Sequence, residues 1–148
     1  MNKIFFLFFF VLISCGYKPL YTNKNLDKFT FNKIELKGNK DINRRIISQL
    51  NIKQNSSNFN FENLLLTNTK EIVAISKNSK GQIELFKMNL IVDLEIKDQN
   101  KVVKKKNFQK EFSYKNLDNK FSLSEYEIDI ENNLINEILE DITLYLNI

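Results

Sequence analysis

From Phe86 to Ile96 an apolar side chain stands at every second residue: Phe86, Met88, Leu90, Val92, Leu94 and Ile96. The residues between and beside them are Lys87, Asn89, Asp93, Glu95 and Lys97, and Ile91 alone breaks the polar side. Period two sustained this far means a β-strand with one face on a core and the other in water. At about 3.3 Å per residue, Gln82 to Lys97 would run roughly 50 Å, so its cover must also be long. The end of the chain meets that need. Ile130, Leu134, Ile138 and Ile142 recur four apart, widened by Tyr126, Ile135, Leu139 and Leu146, which is the stripe of an amphipathic helix. Running from Leu123 to Leu146, that helix would be about 36 Å long. Ser122-Leu123-Ser124-Glu125 has the spacing of a capping box at its start.

The other elements fit around this pair. Phe29 to Leu36 alternates as a first strand, with a phase slip between Phe31 and Ile34 that implies a bulge. Gly38-Asn39 ends it. Ile42, Ile46, Ile47 and Leu50 then form one stripe of a short helix, with Asp41 as N-cap or first-turn acid. Arg44 and Arg45 fall on the outer side, either as a solvated face or as an anion contact. Lys53 to Asn60 reads as a polar loop. Phe61 to Lys77 reads as a long second strand, irregular near Asn68 and apolar at both parities from Ile72 to Ile75, so that one end is covered on both faces. Asn78-Ser79-Lys80-Gly81 is a hairpin turn. Val102 to Tyr114 returns as the fourth strand. Lys104, Lys105 and Lys106 lie within it and have two readings: lysines that keep an edge strand from aggregating, or a patch for phosphates of an anionic glycolipid. Alternation points Lys105 away from its neighbours. The expected fold class is α+β, a two-layer sandwich of order β-α-β-β-β-α. Its two helices pack on one face of a four-stranded mixed or antiparallel sheet.

The first residues say where such a domain would sit. Lys3 precedes an unbroken apolar run, Ile4 to Ile13, followed by Ser14 and then Cys15, the chain's one cysteine. Charge, apolar stretch and a small residue at a cut site make a secretory signal peptide, and the run is too short for a transmembrane helix. A cysteine at the cut makes it the lipoprotein kind, with cleavage between Ser14 and Cys15 and acyl chains on Cys15. The plainer reading is an incidental cysteine after an ordinary signal. The expected division is residues 1–14 as signal peptide, 15–28 as lipidated cysteine and tether, and 29–148 as the folded domain. After cleavage 21 lysines and arginines face 18 acids, an excess too small to imply nucleic acid. No histidine, second cysteine or tryptophan is present, nor a nucleophile elbow, a phosphate-binding glycine loop or a metal-ligand cluster. The acids of the last helix are scattered round a solvent face. The expectation is a protein without catalysis, cofactor or metal.

Cys15-Gly16-Tyr17-Lys18-Pro19-Leu20-Tyr21 resembles the C-G-(F/Y)-(R/K)-P-L-Y start of the lipopolysaccharide-assembly lipoprotein family (LptE, formerly the RlpB type), alphaproteobacterial branch. The resemblance extends over FNKIELKGNKDINRRIISQL, the long hairpins, Ser113-Tyr114 at the end of the last strand, and Phe121 ahead of the NNLINEILEDI helix. It implies a lipid anchor in the inner leaflet of the outer membrane, facing the periplasm. It further implies a seat as plug and assembly partner in the lumen of the LptD β-barrel, and a part in delivering lipopolysaccharide. Where that branch carries an arginine soon after the turn glycine, this chain has Gly81-Gln82-Ile83-Glu84-Leu85; Lys77, Lys80 and Lys87 are the cations at hand for the glycolipid. The competing reading is a lipid-anchored periplasmic binding or pilotin-like module of another envelope pathway.

Overall fold

The computed structural model describes residues 29–56, 62–99 and 101–147. In chain order the elements are β1 (Thr30–Phe31), β2 (Ile34–Lys37), α1 (Lys40–Gln49), β3 (Lys53–Gln54), β4 (Asn63–Lys77), β5 (Ile83–Asp98), β6 (Lys101–Lys115) and α2 (Lys120–Asn147). The main sheet has the order β2-β4-β5-β6, with β2 parallel to β4 and the other two pairs antiparallel. Both helices cover one face of it. The expected two-layer α+β sandwich is therefore the observed architecture, and the sheet is mixed.

The phase slip in the first strand is a full break at Asn32-Lys33, which separates β1 from β2. The stretch read as a polar loop holds a short strand instead. β3 pairs in parallel with β1, through bonds from Lys53 N to Phe29 O (2.9 Å) and from Asn55 N to Phe31 O (2.8 Å). Both of its residues are exposed, so it leaves no periodic trace in the sequence.

The irregularity expected near Asn68 lies elsewhere. Asn68 stays in register opposite Val92, and the ladder shifts between Ala74 and Ser76, leaving Ile75 as the extra residue. Asn68 occupies a core position because its amide is fully used. It donates to Asn43 Oδ1 (2.8 Å) and Asn39 O (3.0 Å) and accepts from Asn39 N (3.0 Å). The helix starts also differ in detail. Asn39, not Asp41, caps α1, its Oδ1 accepting from Asp41 N (2.9 Å) and Ile42 N (3.3 Å), while Asp41 sits in the first turn. For α2, Asn119 Oδ1 accepts from Phe121 N (2.9 Å) and Ser122 N (3.2 Å). An asparagine outcompetes the Ser122 box, so α2 begins at Lys120, ahead of the expected start.

Burial follows the two periodicities. Met88, Leu90, Val92, Leu94 and Ile96 of β5 are buried beneath Ile130, Leu134, Ile138 and Ile142 of α2, and Ile42 and Ile46 of α1 join Leu64 and Leu66 of β4 in the same cluster. Lys70 to Glu131 (2.5 Å) and a bond from Arg45 to Asn132 stitch β4 and α1 to α2. Arg44 pairs with Asp41 (3.7 Å) on the exposed side of α1, as a solvated face does.

Candidate functional site

The β4–β5 hairpin ends in a turn closed by its own hydrogen bonds. Asn78 Oδ1 accepts from Lys80 N (3.0 Å) and Gln82 N (3.0 Å), Asn78 N donates to Gln82 O (2.9 Å), and Gly81 takes φ +79°. A side chain at Gly81 would be strained there, although space around it is open. This frame holds Lys77 at the end of β4 and Lys80 on the turn, both exposed and with no ion pair to a described residue. Lys87 is nearby on the open sheet face, 3.3 Å from Glu111.

Three strands converge at this end, where Ser76, Leu85 and Lys115 lie abreast. The first turns of α2 lie over it. Tyr114 OH donates to Glu127 Oε1 (2.7 Å), and the Tyr114 ring meets Tyr126 edge-on at 6.0 Å and Phe86 at 5.8 Å. Phe121, Ile128 and Phe112 are exposed here. Beside them a groove of about 400 Å³ is lined by Phe112, Tyr126, Ile130 and Glu137, among others. This end therefore joins two cations that no described acid pairs, Lys77 and Lys80, to exposed apolar surface, the chemistry that suits an anionic amphiphile. Sequence reading found the lysines, named Phe121 only as a mark of the family resemblance, and missed Ile128; the spacing of seven residues between the two on the outer side of α2 was the available signal.

Burial, followed by the bond to Glu127, pushes the Tyr114 phenol well above its usual range. A raised pKa means the stabilisation is fully present below the unfolded value of about 10 and is lost as pH rises from there through the higher folded value. Absorbance titration is expected to show Tyr114 as a late-ionising phenol, and Tyr114→Phe is expected to remove that late component. A phenol that titrates with the rest would contradict the buried hydrogen bond.

The second group of lysines is far from the first. Lys105 lies opposite Glu95 and Lys87 opposite Ser113, eight residues apart along β6, or about 26 Å. Lys105 donates to Glu95 (2.6 Å); that bond holds the Glu95 carboxyl below, and the Lys105 ammonium above, their ordinary values. Lys104 points to the helix side, 5.9 Å from the Tyr145 ring, and Lys106 shares its parity. Alternation does separate the three, and they do not join Lys77, Lys80 and Lys87 in one surface. The rest of the open sheet face satisfies itself: Asn107 donates to Asp93 (2.9 Å) and Gln109 to Asn89 (3.0 Å). Among the described residues no cluster of three or more histidine, cysteine, aspartate or glutamate side chains is placed to hold a metal. Ser14, Cys15 and the tether residues Gly16, Tyr17, Lys18, Pro19, Leu20 and Tyr21 lie outside the described residues.

No protein-family model and no curated protein sequence matches the chain. Solved structures do. The fold is similar to the rare lipoprotein B of Shewanella oneidensis, at TM-score 0.56 and 14% identity over 76% of this chain and 95% of that one. A minor lipoprotein from Acinetobacter baumannii gives TM-score 0.58 and 17% identity over 78% of this chain and 90% of that one. A lipoprotein from Caulobacter crescentus gives 0.56 and 15% over 82% and 90%. The two-helix, four-strand sandwich is the fold of these lipoprotein structures.

Proposed function

We propose that this chain is a lipid-anchored outer-membrane lipoprotein of the LptE type. In this reading it sits as plug and assembly partner in an LptD-type β-barrel and serves lipopolysaccharide transport. The observation that carries the reading is the shared sandwich with rare lipoprotein B over most of both chains, reached from a sequence whose Cys15–Tyr21 start has the lipoprotein pattern. The domain works by shape and surface, without catalysis: acyl chains on Cys15 hold it at the periplasmic face of the membrane, and several chains on one residue anchor firmly. Solubilising envelopes in mild detergent and purifying the native protein tests this. A large outer-membrane barrel is expected to come with it at equal stoichiometry. A lipoprotein that purifies alone would replace the reading with a pilotin-like or carrier module.

The hairpin end is the proposed glycolipid contact. Lys77 and Lys80 carry charge that no described acid neutralises, and exposed apolar side chains stand beside them. Replacing Lys77, Lys80 and Lys87 together with serine is expected to weaken lipopolysaccharide binding in vitro by about tenfold, as loss of two or three screened phosphate contacts would. Unchanged binding would remove these lysines from the contact. The same triple replacement at Lys104, Lys105 and Lys106 is expected to do less, because Lys105 is already held by Glu95.

A further inference from the structure

The two edges of the sheet are treated differently. β6 carries Lys101, Lys104, Lys105, Lys106, Lys110 and Lys115, the usual protection of an exposed edge. β4 carries no lysine between Glu71 and the bulge at Ile75. β2 pairs with it only from Leu64 to Thr67, and Gly38 then turns the chain away into α1. From Asn68 onward no described strand lies on the β2 side of β4, while β5 continues to pair with its other side. The stretch Ile72-Val73-Ala74-Ile75 carries no charge, and Ile72, Val73 and Ile75 are 39%, 45% and 46% exposed.

The lane that the described residues leave open is also ready for hydrogen bonding. Leu64 N donates to Lys33 O (2.8 Å), so the even-numbered residues of β4 turn their backbone groups toward the β2 side. By alternation the N–H and C=O groups of Lys70, Ile72 and Ala74 face the lane, while those of Glu71 and Val73 face β5. The bulge at Ile75 ends the regular run. Ile72 shares the helix-side face with Lys70, and Val73 lies on the other, so an apolar side chain flanks the lane on each face.

We propose that this lane takes an added β-strand from a partner protein: an extended segment with apolar side chains at alternate positions and an acidic residue at the end beside Lys77. Charge decides between occupants. Asn68 to Gln82 holds three lysines against one glutamate, and Lys77 and Lys80 have no ion pair to a described residue. A second copy would bring the same excess; an acidic-ended strand would neutralise it. Backbone pairing supplies affinity in this mode of recognition and side-chain alternation supplies choice. The inference deepens the barrel-partner reading by naming the contact.

The probe is a nine-residue synthetic peptide of alternating valine and threonine ending in two aspartates, added to the full-length lipoprotein in detergent. Hydrogen exchange is expected to be fast at the Lys70, Ile72 and Ala74 amides in the protein alone and about tenfold or more slower with peptide, while Glu71 and Val73 are slow in both. A peptide ending in two lysines is expected to bind about tenfold more weakly. Ala74→Pro removes one lane donor from an edge position that tolerates proline, and it is expected to abolish the protection with melting temperature unchanged. The same variant is expected to lose the co-purifying barrel. Three amides that exchange equally fast with and without peptide overturn the proposal, whatever the barrel does. Protection of these amides by self-association, without peptide, assigns the lane to a second copy and overturns it too. A peptide that protects the lane while no barrel purifies with the wild type would sink the functional reading and leave the lane standing.

Discussion

Gly38→Ala is expected to destabilise the domain by about 4 kcal/mol or more, a large share of a total stability of order 5–15 kcal/mol. Gly38 has φ +92°, where a side chain is strained by itself. Space is the larger obstacle. An added Cβ would be driven into the Asn68 carbonyl oxygen, with the carbonyl carbon 3.0 Å away and Asn68 Oδ1 3.1 Å away. Those atoms belong to the backbone of a central strand and to a buried side chain with three partners, so neither can step aside cheaply. Denaturant unfolding monitored by circular dichroism measures the loss. A variant within about 1 kcal/mol of wild type would mean that the β2–α1 turn is not packed as described.

Asn68→Leu is expected to cost about 3 kcal/mol. The substituted residue keeps the shape of the site and removes the polar partner of Asn43 Oδ1, Asn39 O and Asn39 N. Asn43 is 2% exposed and Asn68 is 3% exposed, so water cannot replace what is lost. Asn43 also donates to Lys37 O (3.0 Å), which makes the pair one network. Replacing both asparagines with leucine is therefore expected to cost less than the sum of the two single changes, because the second change removes an orphan left by the first. Strict additivity in the double-mutant cycle would contradict a shared network.

These two residues also mark where sequence reading succeeds and where it stops. The period-two run ending at Ile96 and the four-residue spacing from Ile130 to Ile142 state which face each long element buries, so the two-layer fold was legible. Asn68 looked like an interruption, because from sequence alone a polar residue in an apolar strand has no visible partner. The partner, Asn43, is on another element, and only the fold brings them together. Ser122 and Glu125 matched a cap that Asn119 pre-empts, since two competing caps a few residues apart cannot be ranked without coordinates. The lysines of the candidate surface were found by charge. Their split into two separated groups follows from strand register, which pattern does not reveal. The apolar run from Ile72 to Ile75 was expected to be covered on both faces; the described chain leaves it uncovered, and that mismatch is what points to a partner strand.

The most direct trial of the lipoprotein-and-barrel reading is depletion of this protein in living cells, with surface lipopolysaccharide and the folding state of the large outer-membrane barrel followed together. Both are expected to fail in step, with less glycolipid at the surface and barrel accumulating in misassembled form. Cells that keep normal surface glycolipid and a correctly assembled barrel without this protein would contradict the reading.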